Sequence, residues 1–417
     1  MVADFRNYLL PPDHPRVAGL GHLDAVSFTD AAYDVPFIGD VLRGWRKSFL
    51  EDSFRGVTSD GSAIPGLFEP GADEGAAVAR AVGAANDLLS KLSPQARDQL
   101  SHPLDSRVWR AWFNPEFYIN RYGLRLEEQD PAIRELALRV IEASLSEKGY
   151  GLIRNVMRTN EFLGDLVGLP KIMNESSYNI NLFGTPSAEA PWGWNFYGHH
   201  LCLNCLFIGN QQVFTPIFLG AEPNEIDEGE YAGTVIFSEQ EQAGLAFMES
   251  LPAELAEQAI LYRSTRDPDM PEGRVVPGDE LHLGGAFHDN RVIPYEGLPI
   301  GQCTAQQQNS LVELVELFLS YQPDGPRAAR LTEVRRRLDQ TWFCWIGGTR
   351  APEPFYFRIQ SPVIFIEFDH HAGIYLANTE PERFHIHIIV RTPNGNDYGA
   401  ELVRRATGTA HTLEALP

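Results

Sequence analysis

The spacing of apolar residues changes character twice along the chain. Over residues 73–170 they recur every three or four positions, the interval that stacks side chains on one face of a helix. Val78, Val82, Leu88 and Leu89 follow it, as do Ile133, Leu136, Leu138, Val140 and Ile141. Ser93 before Pro94, and Asp130 before Pro131, supply helix starts: a capping side chain, then a proline at the first helical position. Gly149 and Gly151 read as the end of the second long helix, and "NVMRTNEFLGDLVG" from Asn155 as one more short helix. Near Asn179 the pattern turns to strands. "SYNINLFG", "WGWNFYGHHLCLNCLFIGN" and "QQVFTPIFLG" read as three of them, with "GNQQ" as a hairpin connection. Ser238–Leu251, Pro252–Leu261 and Thr304–Tyr321 return to helical spacing. "TWFCWIGG", "FYFRIQ", "PVIFIEFD" and "FHIHIIVR" are strands again, and "NDYGAELVRRA" closes as a helix.

Helices, strands, helices, strands is not the alternation of a parallel sheet. It predicts an α+β fold: a mainly antiparallel β-sheet core flanked by α-helices, with a helical N-terminal third. The strand blocks 179–220 and 341–391 are expected to meet in one sheet or sandwich. Residues 1–72, rich in Pro, Gly and Asp, read as an irregular N-terminal extension. One large domain over 73–417 follows, helical over 73–170, with sheet and helices over 171–417.

Composition narrows the partners. With 417 residues and 43% hydrophobic content a sizeable core is available. The formal net charge of -22 argues against nucleic acid and against anionic membrane surfaces. No apolar run is long enough to span a membrane, and the N-terminus has no basic segment leading into an apolar one. Four cysteines do not make a disulfide scaffold. The expectation is a cytoplasmic protein with reduced thiols that acts on a small-molecule substrate; homo-oligomerisation stays open.

Candidate chemistry concentrates on two strands. Residues i and i+2 of a strand share a face, so His385 and His387 of "FHIHIIVR" point together and can hold one metal ion. In "PVIFIEFDHH", Glu367 and Asp369 share a face by the same rule. A hairpin through "HAGIYLANTEPER" would set them beside the histidines, as further ligands or a general base. His370 and His371 follow at the strand end with no role fixed, and His288 lies unassigned in a Gly-flanked loop. In "GHHLCLNCL", read as strand, His199 and His200 face opposite sides. His200 keeps the more polar company of Cys202 and Asn204 and is the better third ligand. Cys202 and Cys205 likewise face apart, so their CxxC reads as core packing. Arg358 and Arg391 either clamp a substrate carboxylate or pair with Glu367 or Asp369. No nucleotide-binding or nucleophile-elbow motif occurs.

Several stretches taken in order resemble one family: "GYGLIRNVMRTNEFLG", "NESSYNINLFG", "WGWNFYGHHLCLN", "TPIFLGAEP", "FYFRIQSPVIFIEFD" and "HIHIIVRTPNGNDYG". Together they are similar to the DUF3500 family of unknown function, from about residue 75 onward. The resemblance implies that GHH, E-F-D and HxH form one constellation; it implies no reaction. The residues themselves point to a metal-dependent enzyme. His385, His387 and one of His199 or His200 would be the ligands, with zinc expected first and iron or copper next. A three-histidine zinc site generates a nucleophile from bound water, so hydrolysis of a small ester, amide or lactone is the leading expectation. A non-haem iron or copper oxygenase or lyase on the same residues is the alternative, and a metal-free small-molecule binding protein the third.

Overall fold

A computed structural model describes residues 4–416. Its helices are α1 (Ala25–Ala32), α2 (Pro36–Glu51), α3 (Val78–Lys91), α4 (Pro94–Leu100), α5 (Pro131–Ser144), α6 (Glu147–Leu166), α7 (Ser238–Glu249), α8 (Ala253–Ala259), α9 (Ala305–Phe318), α10 (Asp324–Arg335) and α11 (Ala400–Thr407). The longer strands are β1 (Tyr178–Phe183), β2 (Trp192–Gly198), β3 (Leu201–Ile208), β4 (Ile217–Ala221), β5 (Trp342–Gly347), β6 (Phe355–Gln360), β7 (Phe365–His371) and β8 (Glu382–Arg391). They form one sheet in the order β1-β2-β3-β4-β8-β7-β6-β5, every neighbouring pair antiparallel, with short strands extending it. The two strand blocks therefore join where β4 pairs with β8. The α+β reading with a mainly antiparallel core holds.

The sheet is buried on both sides, by different means. One face carries Phe357, Phe368 and Ile388, directly opposite one another on β6, β7 and β8. Helices cover it: Phe318 of α9 meets Phe357 and Phe368 edge to face, and Gly244 of α7 leaves room for the Phe357 ring. The other face carries the polar residues of the same strands. Irregular segments cover that side, notably residues 263–297 and the region around Trp112 and Asn114. Loops can shelter a polar surface because their own backbone N–H and C=O groups supply the partners that buried polar side chains require.

Three expectations need correction. The described part of the expected irregular extension 1–72, residues 4–72, is not irregular. Asp24 caps α1 by accepting the Ser27 N–H at 2.7 Å, and Pro36 opens α2. Leu42, Phe49, Val57 and Phe68 lie in the same core as the sheet. The abundance of Pro and Gly hid the helical spacing of Leu42, Trp45 and Phe49. Second, Gly149 and Gly151 end nothing. The break falls at Leu145, Ser146 caps α6 through the Gly149 N–H, and both glycines lie inside that 20-residue helix. Gly149 is needed for packing, since a Cβ there would sit 2.4 Å from the Tyr321 Cα. Third, the long "WGWNFYGHHLCLNCLFIGN" strand is two strands: Gly198 pairs with Leu201, and His199–His200 form the turn between them.

Ile386 is fully buried on the helix-covered face. Ile386→Ala is expected to lower the unfolding free energy by about 2–5 kcal/mol, measured by denaturant titration. A loss below about 1 kcal/mol would contradict this packing.

Candidate metal centre

Register assembles the site. Gly220, His387, Asp369 and Tyr356 stand directly opposite one another across β4, β8, β7 and β6. Residues opposed in this way lie side by side on one face. His385 and His371 share that face by alternation, and the His371 ring centroid lies 4.3 Å from that of His387. His200 arrives from the β2–β3 turn. Its backbone has φ of 58°, an uncommon conformation for a residue with a side chain. Two hydrogen bonds hold it there: its N–H donates to the Asn114 carbonyl at 3.1 Å, and its carbonyl accepts from the Gly220 N–H at 2.8 Å. Gly220 also makes the space. A Cβ at that position would lie 2.8 Å from the His200 ring and 2.9 Å from the His387 ring.

Three imidazole nitrogens converge here. His387 Nε2 lies 3.0 Å from His385 Nε2 and 3.2 Å from His200 Nε2. His385 Nδ1 is 2.8 Å from the Ala372 carbonyl oxygen. A carbonyl only accepts, so Nδ1 carries the proton and Nε2 of the neutral ring is a bare lone pair. His387 Nε2 holds at most one proton, so these two contacts cannot both be ordinary two-centre hydrogen bonds. A cation at the centre satisfies all three nitrogens. Ligands about 2.0–2.1 Å from a tetrahedral ion lie about 3.3 Å apart, close to the spacing found.

A second group adjoins the first. His282 Nε2 lies 3.5 Å from Asp369 Oδ1, and His282, Asp369 and His387 form a further set close enough to share an ion. Both nitrogens of His282, both carboxylate oxygens of Asp369, His387 Nδ1 and His371 Nε2 have no hydrogen-bond partner among the described residues. Unsatisfied buried polar atoms are costly and uncommon; clustered donor atoms of this kind suit a metal. None of His200, His282, Asp369, His371, His385 and His387 is more than 4% exposed. Burial pushes His200, His282, His385 and His387 well below the usual histidine range, so they are neutral, the form that ligates. Burial pushes Asp369 well above the usual carboxylate range, and the nearby carboxylates Glu280, Glu367 and Asp279 add to it.

The expected site residues divide. His200, His385, His387 and Asp369 come together. His199 does not: its Nδ1 contacts Asn160 Oδ1 of α6 at 2.8 Å, and its ring stacks on His200 with centroids 3.9 Å apart. As part of a turn it follows no strand alternation, and it buttresses His200 instead. Glu367 is on the right face but one row away, opposite Ile389 and Arg358. Its oxygens are spent: Oε1 accepts from the Leu283 N–H at 2.9 Å and the Tyr356 hydroxyl at 2.6 Å, and Oε2 from the Gly284 N–H at 2.9 Å. It anchors a turn, and these donors occupy both of its oxygens. Arg391 holds the same turn by donating to the Gly284 and Gly285 carbonyls, and its Nη1 donates to Asp289 and Asp397. Arg358 pairs with Glu296 at 2.7 Å. Neither arginine pairs with Glu367 or Asp369, and four of the five N–H groups of Arg391 are taken by the turn carbonyls and the two aspartates.

His370 faces the helices, where its Nε2 contacts Glu241 at 2.9 Å. His288 belongs to neither metal set. Cys202 and Cys205 are buried free thiols on opposite faces, beside Asn204 and Gln212 respectively. His282 is the functional candidate that sequence reasoning missed; His371, named from the sequence without a fixed role, joins it here. His371 was within reach of the i, i+2 rule from Asp369. His282 carries no local signal, because the turn holding it is fixed by the distant Glu367 and Arg391.

Gly220→Ala is expected to push the His200 and His387 rings apart. Metal affinity measured by chelator competition should fall about 10- to 100-fold. Unchanged affinity would contradict the convergence described here.

The model of a family described as "Protein of unknown function (DUF3500)" matches residues 74–400. No curated protein and no solved structure matches. No helix among the described residues is long and apolar enough to cross a membrane. The match takes in the strands that carry GHH, E-F-D and HxH, and the chain belongs to the DUF3500 family.

Proposed function

We propose that this chain is a metal-dependent enzyme that hydrolyses a small ester, amide or lactone, with zinc the first ion to expect. The observation that carries the reading is the meeting of three Nε2 atoms at 3.0 and 3.2 Å, with His385 held in the ligating tautomer. A divalent cation held by His200, His385 and His387 would supply Lewis acidity and an acidified water. The chain's own groups do the rest. Asp369, opposite His387 and with both oxygens unspent, takes up and returns a proton. His282 stands beside it with both ring nitrogens unspent. The closed surroundings exclude bulk water and favour a small substrate. Four free, buried cysteines are compatible with a cytoplasmic setting.

One observation favours a second reading. His282, His387 and Asp369 are two histidines and a carboxylate, the ligand type of non-haem iron(II) oxygenases. Elemental analysis of the full chain separates the two, followed by assays of hydrolysis and of oxygen uptake before and after chelation. Tightly held zinc with chelator-sensitive hydrolysis is the expected result; iron with oxygen uptake moves the assignment to the second reading. His387→Ala should lose at least about tenfold in metal content while its cooperative unfolding transition persists. Wild-type protein that binds no transition metal overturns both readings and leaves a polar small-molecule pocket.

A further inference from the structure

The donor atoms fall into two sets that share a single residue. His200, His385 and His387 close within 4.8 Å of one another, and so do His282, Asp369 and His387; the five do not close as one set. Ligands of one ion at about 2.0–2.1 Å are never more than about 4.2 Å apart. One ion therefore cannot take all five without rearrangement, and either set alone leaves bare buried donors in the other. His387 has a nitrogen to offer each side. Its Nε2 meets His200 and His385, and its Nδ1 has no partner among the described residues. The second set also stands in acidic company: Glu280, Glu367 and Asp279 lie near Asp369, with Arg274 the cation facing it. Asp279 Oδ2 is buried and likewise without a partner. Such a surrounding favours additional positive charge.

We propose that the centre binds two divalent transition-metal ions, bridged by the imidazole ring of His387. Nε2 serves the ion held by His200 and His385; Nδ1 serves the ion held by His282 and Asp369. On bridging, His387 releases its ring proton and Asp369 its carboxyl proton to solvent; Asp369 binds through one carboxylate oxygen and keeps the other for proton transfer. No oxidation change is involved. This proposal rests on the metal reading above, and the stoichiometry of binding distinguishes its failure from the failure of that reading.

The test uses the full chain, stripped by chelation and titrated with Co²⁺ and separately with Cu²⁺. Bound metal is counted by elemental analysis after desalting. Wild-type protein is expected to retain about two equivalents, and Asp369→Asn and His282→Gln about one each. With Cu²⁺ the wild-type electron paramagnetic resonance signal should integrate to well under two spins, because a bridging ring couples the two ions. In either single-ion variant the signal should match the copper bound. Saturation of the wild type at about one equivalent overturns the proposal and leaves the metal reading standing; no binding overturns both. Two equivalents with two full, uncoupled spins overturns the bridge. The wild-type count and spin integral decide the matter even where a variant fails to fold.

Discussion

The antiparallel pairing of β7 with β8 is the constraint on which the site depends. Asp369 lies opposite His387, and that match continues to Gly220 on one side and Tyr356 on the other. Side chains alternate along a strand, so a slip of one residue would turn His385 and His387 into the helix-covered layer and bring Ile386 and Ile388 out of it. The apolar set Phe357, Phe368 and Ile388 therefore fixes the register that aligns the polar set. The hydrophobic core and the candidate centre are two faces of one alignment, and burial of the first provides the free energy that holds the second together.

The polar face is expensive to assemble, and its surroundings show how the cost is met. Glu367 and Arg391 grip a single turn, the carboxylate taking N–H groups of residues 283 and 284 and the guanidinium taking carbonyls of 284 and 285. That grip brings His282, next to Leu283, against Asp369. His199 and Asn160 do similar work for His200. Around these satisfied groups lies a small set of unsatisfied ones, on His282, Asp369, His371 and His387. A buried polar group without a partner calls for an explanation, and a bound ion is one.

How much of this was legible in the sequence follows from the range of each rule. Strand alternation needs only neighbours, so HxH and E-F-D could be placed on one face. Choosing Asp369 over Glu367 needed the register, which depends on the hairpin and on the irregularity between His370 and His371. "GHHLC" reads as strand because no Gly or Asn marks its left-handed position; His200 takes that conformation, held by bonds to Asn114 and Gly220. His282 was out of reach because its placement is set by residues about 84 and 107 positions away from the turn. In the N-terminal region composition outweighed the spacing of Leu42, Trp45 and Phe49, and packing against the core settled it as helix.

The central claim is that His200, His385 and His387 present their ring nitrogens to a common ion. X-ray absorption at the metal edge of the purified full chain tests it most directly. The account predicts a first shell dominated by nitrogen at about 2.0–2.1 Å, with the outer-shell scattering of imidazole rings. A shell of oxygen or sulfur without imidazole scattering, or no bound metal to observe, would contradict it.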